Sequence, residues 1–166
     1  MKRLGLDQVW WLVSPQNPLK PARGMAPLAT RVAAAKGAAR HPRIIVTAME
    51  SALGTVYTVD TLRALKKRFP ATDFVWLMGA DNMKQIHRWR RWADIFALVP
   101  IAVLRRPAYA AGRRCGKAAT RFDRAWRPAA EGRHLAGRQA PAWVVMNNPL
   151  NKLSATEIRK DRTTWP

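Results

Sequence analysis

Acidic residues are scarce in this chain of 166 residues: ten Asp and Glu stand against thirty Lys and Arg, a formal charge of +20. That balance favours anionic partners (nucleotides, nucleic acid or an acidic membrane surface), although a solvated basic face gives the same count. Cysteine is nearly absent. Cys115 alone excludes an internal disulfide, and between Arg114 and Lys117 it reads as a cysteine in a basic loop. His41, His87 and His134 are the three histidines, and none has a second histidine or a carboxylate at ligand spacing. They read as surface or loop residues, and no metal site is expected. No apolar run approaches the ~20 residues of a membrane span. The basic start Met1–Leu4 is broken by Asp7, and no small-residue cleavage site follows the run Val9–Val13. A secretory leader is therefore rejected and a cytosolic, cytoplasmic chain expected. A phosphate loop of the G-x-x-x-x-G-K type is also missing.

What is present alternates between strand-like and helix-like segments. Gln8–Ser14, Arg43–Thr47, Asp73–Met78, Ile101–Leu104 and Trp143–Met146 are short apolar or β-branched runs and predict strands. Leu28–Arg40 and Thr58–Phe69 predict helices. In the second, Val59, Leu62, Leu65 and Phe69 recur at helical spacing, and Lys66, Lys67 and Arg68 fall in the last turn, where cations suit the helix dipole. Shorter helices are expected at Asn82–Ile86, Trp92–Leu98 and from Ser154. Pro15–Pro27 is a loop and Ser51–Thr55 a turn around Gly54. Tyr109–Pro141 has little periodicity and reads as a basic excursion with a short helix near Thr120–Trp126. The expectation is one α/β domain over residues 1–166 with a mostly parallel sheet covered on both faces.

In such sheets ligands bind beyond the carboxyl ends of the strands. The sharpest local sequences fall there. Leu153–Arg159 contains Ser154 and Glu157 at capping-box spacing. The same helix start could hold a phosphate, with hydroxyls from Ser154 and Thr156 and a guanidinium from Arg159. Gly79 follows a strand directly, which allows close approach of a ligand to the backbone, and Asp81 could accept from ribose hydroxyls or simply cap the next helix. Thr55–Leu62 opens a helix after a glycine turn, and its free N–H groups suit a carboxylate as well as a phosphate. Trp89, among cations in H-R-W-R-R-W, offers a face to a planar or cationic ring, whereas Trp92 fits core spacing with Ile95 and Phe96.

In order along the chain, S-P-Q-N-P-L-K (14–20), Y-T-V-D-T-L (57–62), W-L-M-G-A-D-N (76–82), Trp89 with Trp92–Ile95, L-R-R-P-A-Y (104–109) and S-A-T-E-I-R (154–159) resemble bacterial nicotinate-nucleotide adenylyltransferase. The resemblance implies a Rossmann-like nucleotidyltransferase fold. It also implies transfer of the adenylyl group of ATP to nicotinate mononucleotide, with magnesium accompanying ATP, to give deamido-NAD and pyrophosphate in NAD biosynthesis. On the nicotinate mononucleotide side it implies Asn17, Lys20 and Arg106 near phosphates, Tyr57 and Thr58 at the carboxylate, and Trp89 stacked on the pyridinium ring. On the ATP side it implies Gly79 and Asp81 at a ribose and base, and Ser154, Thr156 and Arg159 at the phosphates.

The family opens with a strand and the loop G-G-S/T-F-D/N-P-x-H-x-G-H, and the resemblance implies that both are missing here. The sequence starts at what resembles the end of the next helix, Leu4–Asp7. On that expectation the catalytic histidines are absent. A central strand between Gln8–Ser14 and Asp73–Met78 is lacking, and the chain as written is unstable or inactive. A start assigned too far downstream is the simplest cause. In-frame DNA upstream of Met1 encoding that loop would support it, and stop codons would dismiss it. Two alternatives stand beside the enzyme. One is a non-catalytic nucleotide-binding remnant. The other is a basic nucleic-acid module resting on Arg105–Arg138, which ranks last because no recognition helix or aromatic platform accompanies the charge.

Overall fold

The computed structural model describes residues 1–15, 26–107 and 116–149. Two all-parallel sheets form the frame. β1 (Val9–Leu12) pairs with β2 (Ile44–Thr47). β3 (Trp76–Gly79), β4 (Ile101–Leu104), β6 (Trp143–Met146) and β5 (Trp126–Arg127) form the second sheet in that order. Among the described residues no ladder joins β1 to β3, so each pairs along one edge. The units meet through rings instead: Trp10 of β1 packs edge-on against Phe69 and Phe74, with centroids 5.0 and 5.7 Å away.

The second sheet is buried on both faces. Its registered rows Trp76–Ile101–Trp143 and Met78–Val103–Val145 face one apolar cluster, and Leu77–Ala102–Val144 faces the other. A strand covered on both sides must be apolar at successive positions, which is why β4 reads I-A-V-L. The first sheet is less covered: Trp11 and Ile45 remain 44% and 42% exposed.

Helices α1 (Leu28–Ala38), α2 (Met49–Ala52), α3 (Thr58–Arg68), α4 (Ala80–Gln85), α5 (Trp92–Leu98) and α6 (Lys117–Arg121) complete the fold. α3 buries Val59, Leu62 and Leu65, as its period predicts. Lys66 in its last turn donates to the Leu98 carbonyl at 2.9 Å, tying α3 to the end of α5.

Several sequence expectations shift. The ladder of β3 starts at Trp76 rather than Asp73, because Phe74 turns into the ring cluster with Trp10 and Phe69. α4 begins at Ala80, directly off the strand, with Gly79 as its N-cap. The first two residues of the expected Ser51–Thr55 turn belong to the single helical turn α2, and Gly54 takes the left-handed φ of 63° that the turn requires. Residues 116–141 of the expected excursion hold more than the one short helix read near Thr120–Trp126. They hold α6, two 3-10 segments and β5, and bury Ala118, Ala119 and Leu135 completely. Pieces this short show no measurable period in a sequence. The expected helix from Ser154, most of Pro15–Pro27, and Cys115 lie outside the described residues.

Candidate functional site

The segments that follow β2, β3 and β4 carry the described candidate residues. At β3 the chain passes from Gly79 straight into α4, which sets Asp81 in the first helical turn. Arg106 follows β4, and its Nε lies 3.1 Å from Asp81 Oδ1. The segment carrying Arg106 is held by Asn148, just past β6. The Asn148 carboxamide accepts from the Arg105 N–H at 2.7 Å and donates to the Arg105 carbonyl at 3.1 Å, extending the β4–β6 pairing with a side chain. A Cβ at Gly79 would sit 2.2 Å from Asp81 Oδ1 and 2.8 Å from Arg106 Nε. Glycine at this position therefore makes room for the ion pair. A ligand approaching the Gly79 backbone has to meet or displace that pair.

The second group forms at the start of α3. Tyr57 is its N-cap with extended backbone, and no side chain caps the helix. The first-turn N–H groups carry the positive end of the helix dipole. Opposite stands the turn between the 3-10 segment Ile86–Arg88 and α5. The Trp89 N–H donates to the Ile86 carbonyl at 2.8 Å and the Trp89 carbonyl accepts from Trp92 at 3.2 Å. Arg91 takes a left-handed φ of 48° and reaches Asp94 at 2.7 Å. Asp94 also accepts from Arg63 of α3 at 2.6 Å, so the turn is pinned to the helix it faces. Arg90 completes the approach, its guanidinium 4.7 Å above the Tyr57 ring. Trp89 is half-buried, and its Nε1 has no hydrogen-bond partner among the described residues.

The structure thus brings Tyr57 and Thr58 together with the Trp89 turn, and Gly79 together with Asp81 and Arg106. Asn17, Lys20, Ser154, Thr156 and Arg159 lie outside the described residues. Trp92 takes the core role its spacing predicts, meeting Phe96 and Phe122 edge-on. His41 and His134 are exposed, but His87, inside the 3-10 segment Ile86–Arg88, is half-buried. Two residues passed over in the sequence reach this region. Arg90 looks like any arginine of a basic run, and Glu50 like a helix-start carboxylate. Neither carries a local signal, since what distinguishes them is a partner distant in the chain. Among the described residues no helix is long and apolar enough to cross a membrane, and no group of three or more His, Cys, Asp or Glu converges as a metal ion would need.

A parallel α/β frame with its polar residues gathered beyond the strand ends defines a nucleotide-handling class, and residues 1–161 match the cytidylyltransferase-like family. A probable nicotinate-nucleotide adenylyltransferase of Cereibacter sphaeroides is 52% identical over 159 residues, covering 96% of this chain and 84% of the relative. A counterpart from Roseobacter denitrificans is 50% identical over 159 residues (96% and 79%). One from Parvibaculum lavamentivorans is 50% identical over 165 residues (99% and 82%). The chain belongs to the nicotinate-nucleotide adenylyltransferase family of nucleotidyltransferases. Its fold is also that of Plasmodium falciparum nicotinic acid mononucleotide adenylyltransferase complexed with APC, with a TM-score of 0.58 at 16% identity, covering 92% of this chain and 67% of that one.

Proposed function

We propose that this chain serves NAD biosynthesis by recognising nicotinate mononucleotide for transfer of the adenylyl group of ATP, a reaction yielding deamido-NAD and pyrophosphate. The observation that carries the reading is the meeting of an uncapped α3 start with the Trp89 turn, Arg90 lying over the Tyr57 ring. A carboxylated pyridinium needs a positive pole for its carboxylate and an aromatic face for its ring. The helix start at Tyr57 and Thr58 supplies the first and Trp89 the second.

In this reading Gly79 and Asp81 receive a ribose and its base. Arg106 leaves Asp81 to meet phosphate, aided by Asn17 and Lys20, while Ser154, Thr156 and Arg159 take the ATP phosphates. Adenylyl transfer asks the protein chiefly for in-line positioning and neutralised charge. Magnesium suits the ATP phosphates. It would enter bound to the nucleotide, whose phosphate oxygens are hard ligands of the kind it prefers. None of the described candidate residues is a histidine placed to stabilise the transferring phosphoryl group. The chain as written is therefore proposed to bind without appreciable turnover.

Calorimetric titration of nicotinate mononucleotide into the 166-residue protein tests this directly. Binding heat without product is expected. Trp89→Ala should weaken binding about tenfold or more, the scale of one lost ring stack. Unchanged affinity in that variant would remove Trp89 from the site.

A further inference from the structure

We propose that Glu50 is a positioning residue for this recognition: from inside the protein it fixes the turn that delivers Tyr57 and Thr58 to the ligand. The inference rests on the reading of the α3 start given above.

Glu50 lies in α2, immediately beyond the carboxyl end of β2, and only 6% of it is exposed. Its carboxylate Oε1 accepts from Thr61 Oγ1 at 3.1 Å. Thr61 is fully buried in α3, and its hydroxyl lies 2.9 Å from that of Thr55 and 3.2 Å from the Tyr57 carbonyl. A hydroxyl has one proton to give. With the carboxylate as terminal acceptor, the chain runs from the Thr55 hydroxyl to Thr61 and from Thr61 to Glu50. The Tyr57 carbonyl is then left to the helix, whose Asp60 and Thr61 N–H groups both reach it at 3.0 Å. Without that acceptor, the Thr61 proton turns to the Tyr57 carbonyl and competes with the first helical bonds.

The main chain repeats the staple. The Thr55 N–H donates to the Glu50 carbonyl at 3.0 Å, so Glu50 grips the Gly54 turn from one side by backbone and from the other through Thr61. Oε2 has no hydrogen-bond partner among the described residues. A buried carboxylate is a costly filler where an apolar side chain would pack as well. What the carboxylate adds is the direction of the hydroxyl chain, and through it the backbone setting at Tyr57.

Nicotinate and nicotinamide mononucleotide differ only in carboxylate against carboxamide, so their affinity ratio reads the α3 start and little else. Both are titrated into the wild-type chain and into Glu50→Ala, Glu50→Gln, Thr61→Val and Trp89→Ala. Glu50→Ala and Thr61→Val are expected to lower the ratio about fivefold to tenfold, the scale of one lost or misdirected hydrogen bond. Glu50→Gln keeps an acceptor oxygen and should hold the wild-type ratio. Equal weakening of both ligands with a fall in melting temperature would reduce Glu50 to a structural part and overturn the proposal, as would an unchanged ratio. If Glu50→Ala does not fold, the near-isosteric Thr61→Val decides alone. Trp89→Ala separates the two readings, because it should weaken both ligands equally. If it does so while Glu50 and Thr61 leave the ratio alone, positioning alone fails. If wild type shows no preference and Trp89 no effect, the ligand reading falls and takes this inference with it.

Discussion

Replacing Trp143 by alanine is expected to lower stability by about 3–5 kcal/mol, near the top of the range for a single core truncation. The side chain is fully buried in β6, registered between Ile101 of β4 and Trp126 of β5. Its indole Nε1 donates to the Phe122 carbonyl at 2.7 Å, and the Phe122 ring stacks on Phe96 at 4.2 Å and 6°. Alanine would empty the ring volume and strand that carbonyl together, and the two losses add. Whole domains hold about 5–15 kcal/mol, so the variant should sit at the edge of folding. Trp143→Phe separates the terms: it keeps most of the volume and gives up the N–H, for a smaller loss of about 1–2 kcal/mol. Urea unfolding of the three proteins measures both. An alanine variant within about 1 kcal/mol of wild type would mean that β6 is not the sheet's centre of packing.

Much of this packing was legible because it is local. β4 and β6 stand out as unbroken apolar runs since each is covered on both faces, and α3 declares itself through Val59, Leu62 and Leu65. Residues 116–141 hid their order because each piece is too short to repeat. The resemblance implies a missing strand between Gln8–Ser14 and Asp73–Met78, but the sequence reads as one mostly parallel sheet, and the described strands form two. Strand pairing order is a long-range property, and no local feature of Val9–Leu12 says which neighbour it takes. The site divides in the same way. Gly79, Asp81 and Tyr57 were visible because strand ends and helix starts have local marks. The Asp81–Arg106 pair, the Arg90–Tyr57 contact and the Glu50–Thr61 bond join separate segments, so nothing near any one of them announces its partner. The site's least legible parts are therefore the contacts that set its geometry.

If the proposed ligand site is right, adding the family's strand and G-G-S/T-F-D/N-P-x-H-x-G-H loop ahead of Met1 is expected to raise turnover sharply over that of the 166-residue polypeptide alone. Among the described residues β1 and β3 each pair along one edge, and both are parallel strands. One more parallel strand between them would join the two sheets and carry its loop to the carboxyl ends where Tyr57 and the Asp81–Arg106 pair lie. Two effects should then separate. The strand supplies a ladder on each side and raises the melting temperature. By the family resemblance the loop would supply backbone donors and imidazoles for the charge that grows on the transferring phosphoryl group, and each such donor is worth on the order of 10²–10³ in rate. Pyrophosphate release from ATP with nicotinate mononucleotide should rise at least about a hundredfold over the ungrafted chain. A graft with both loop histidines changed to alanine should keep the thermal gain and lose the turnover, since pairing depends on backbone and phosphoryl stabilisation on the side chains. If the intact graft gains stability yet forms no deamido-NAD, the residues gathered at α3 and β3 are not the receiving half of an adenylyl-transfer site.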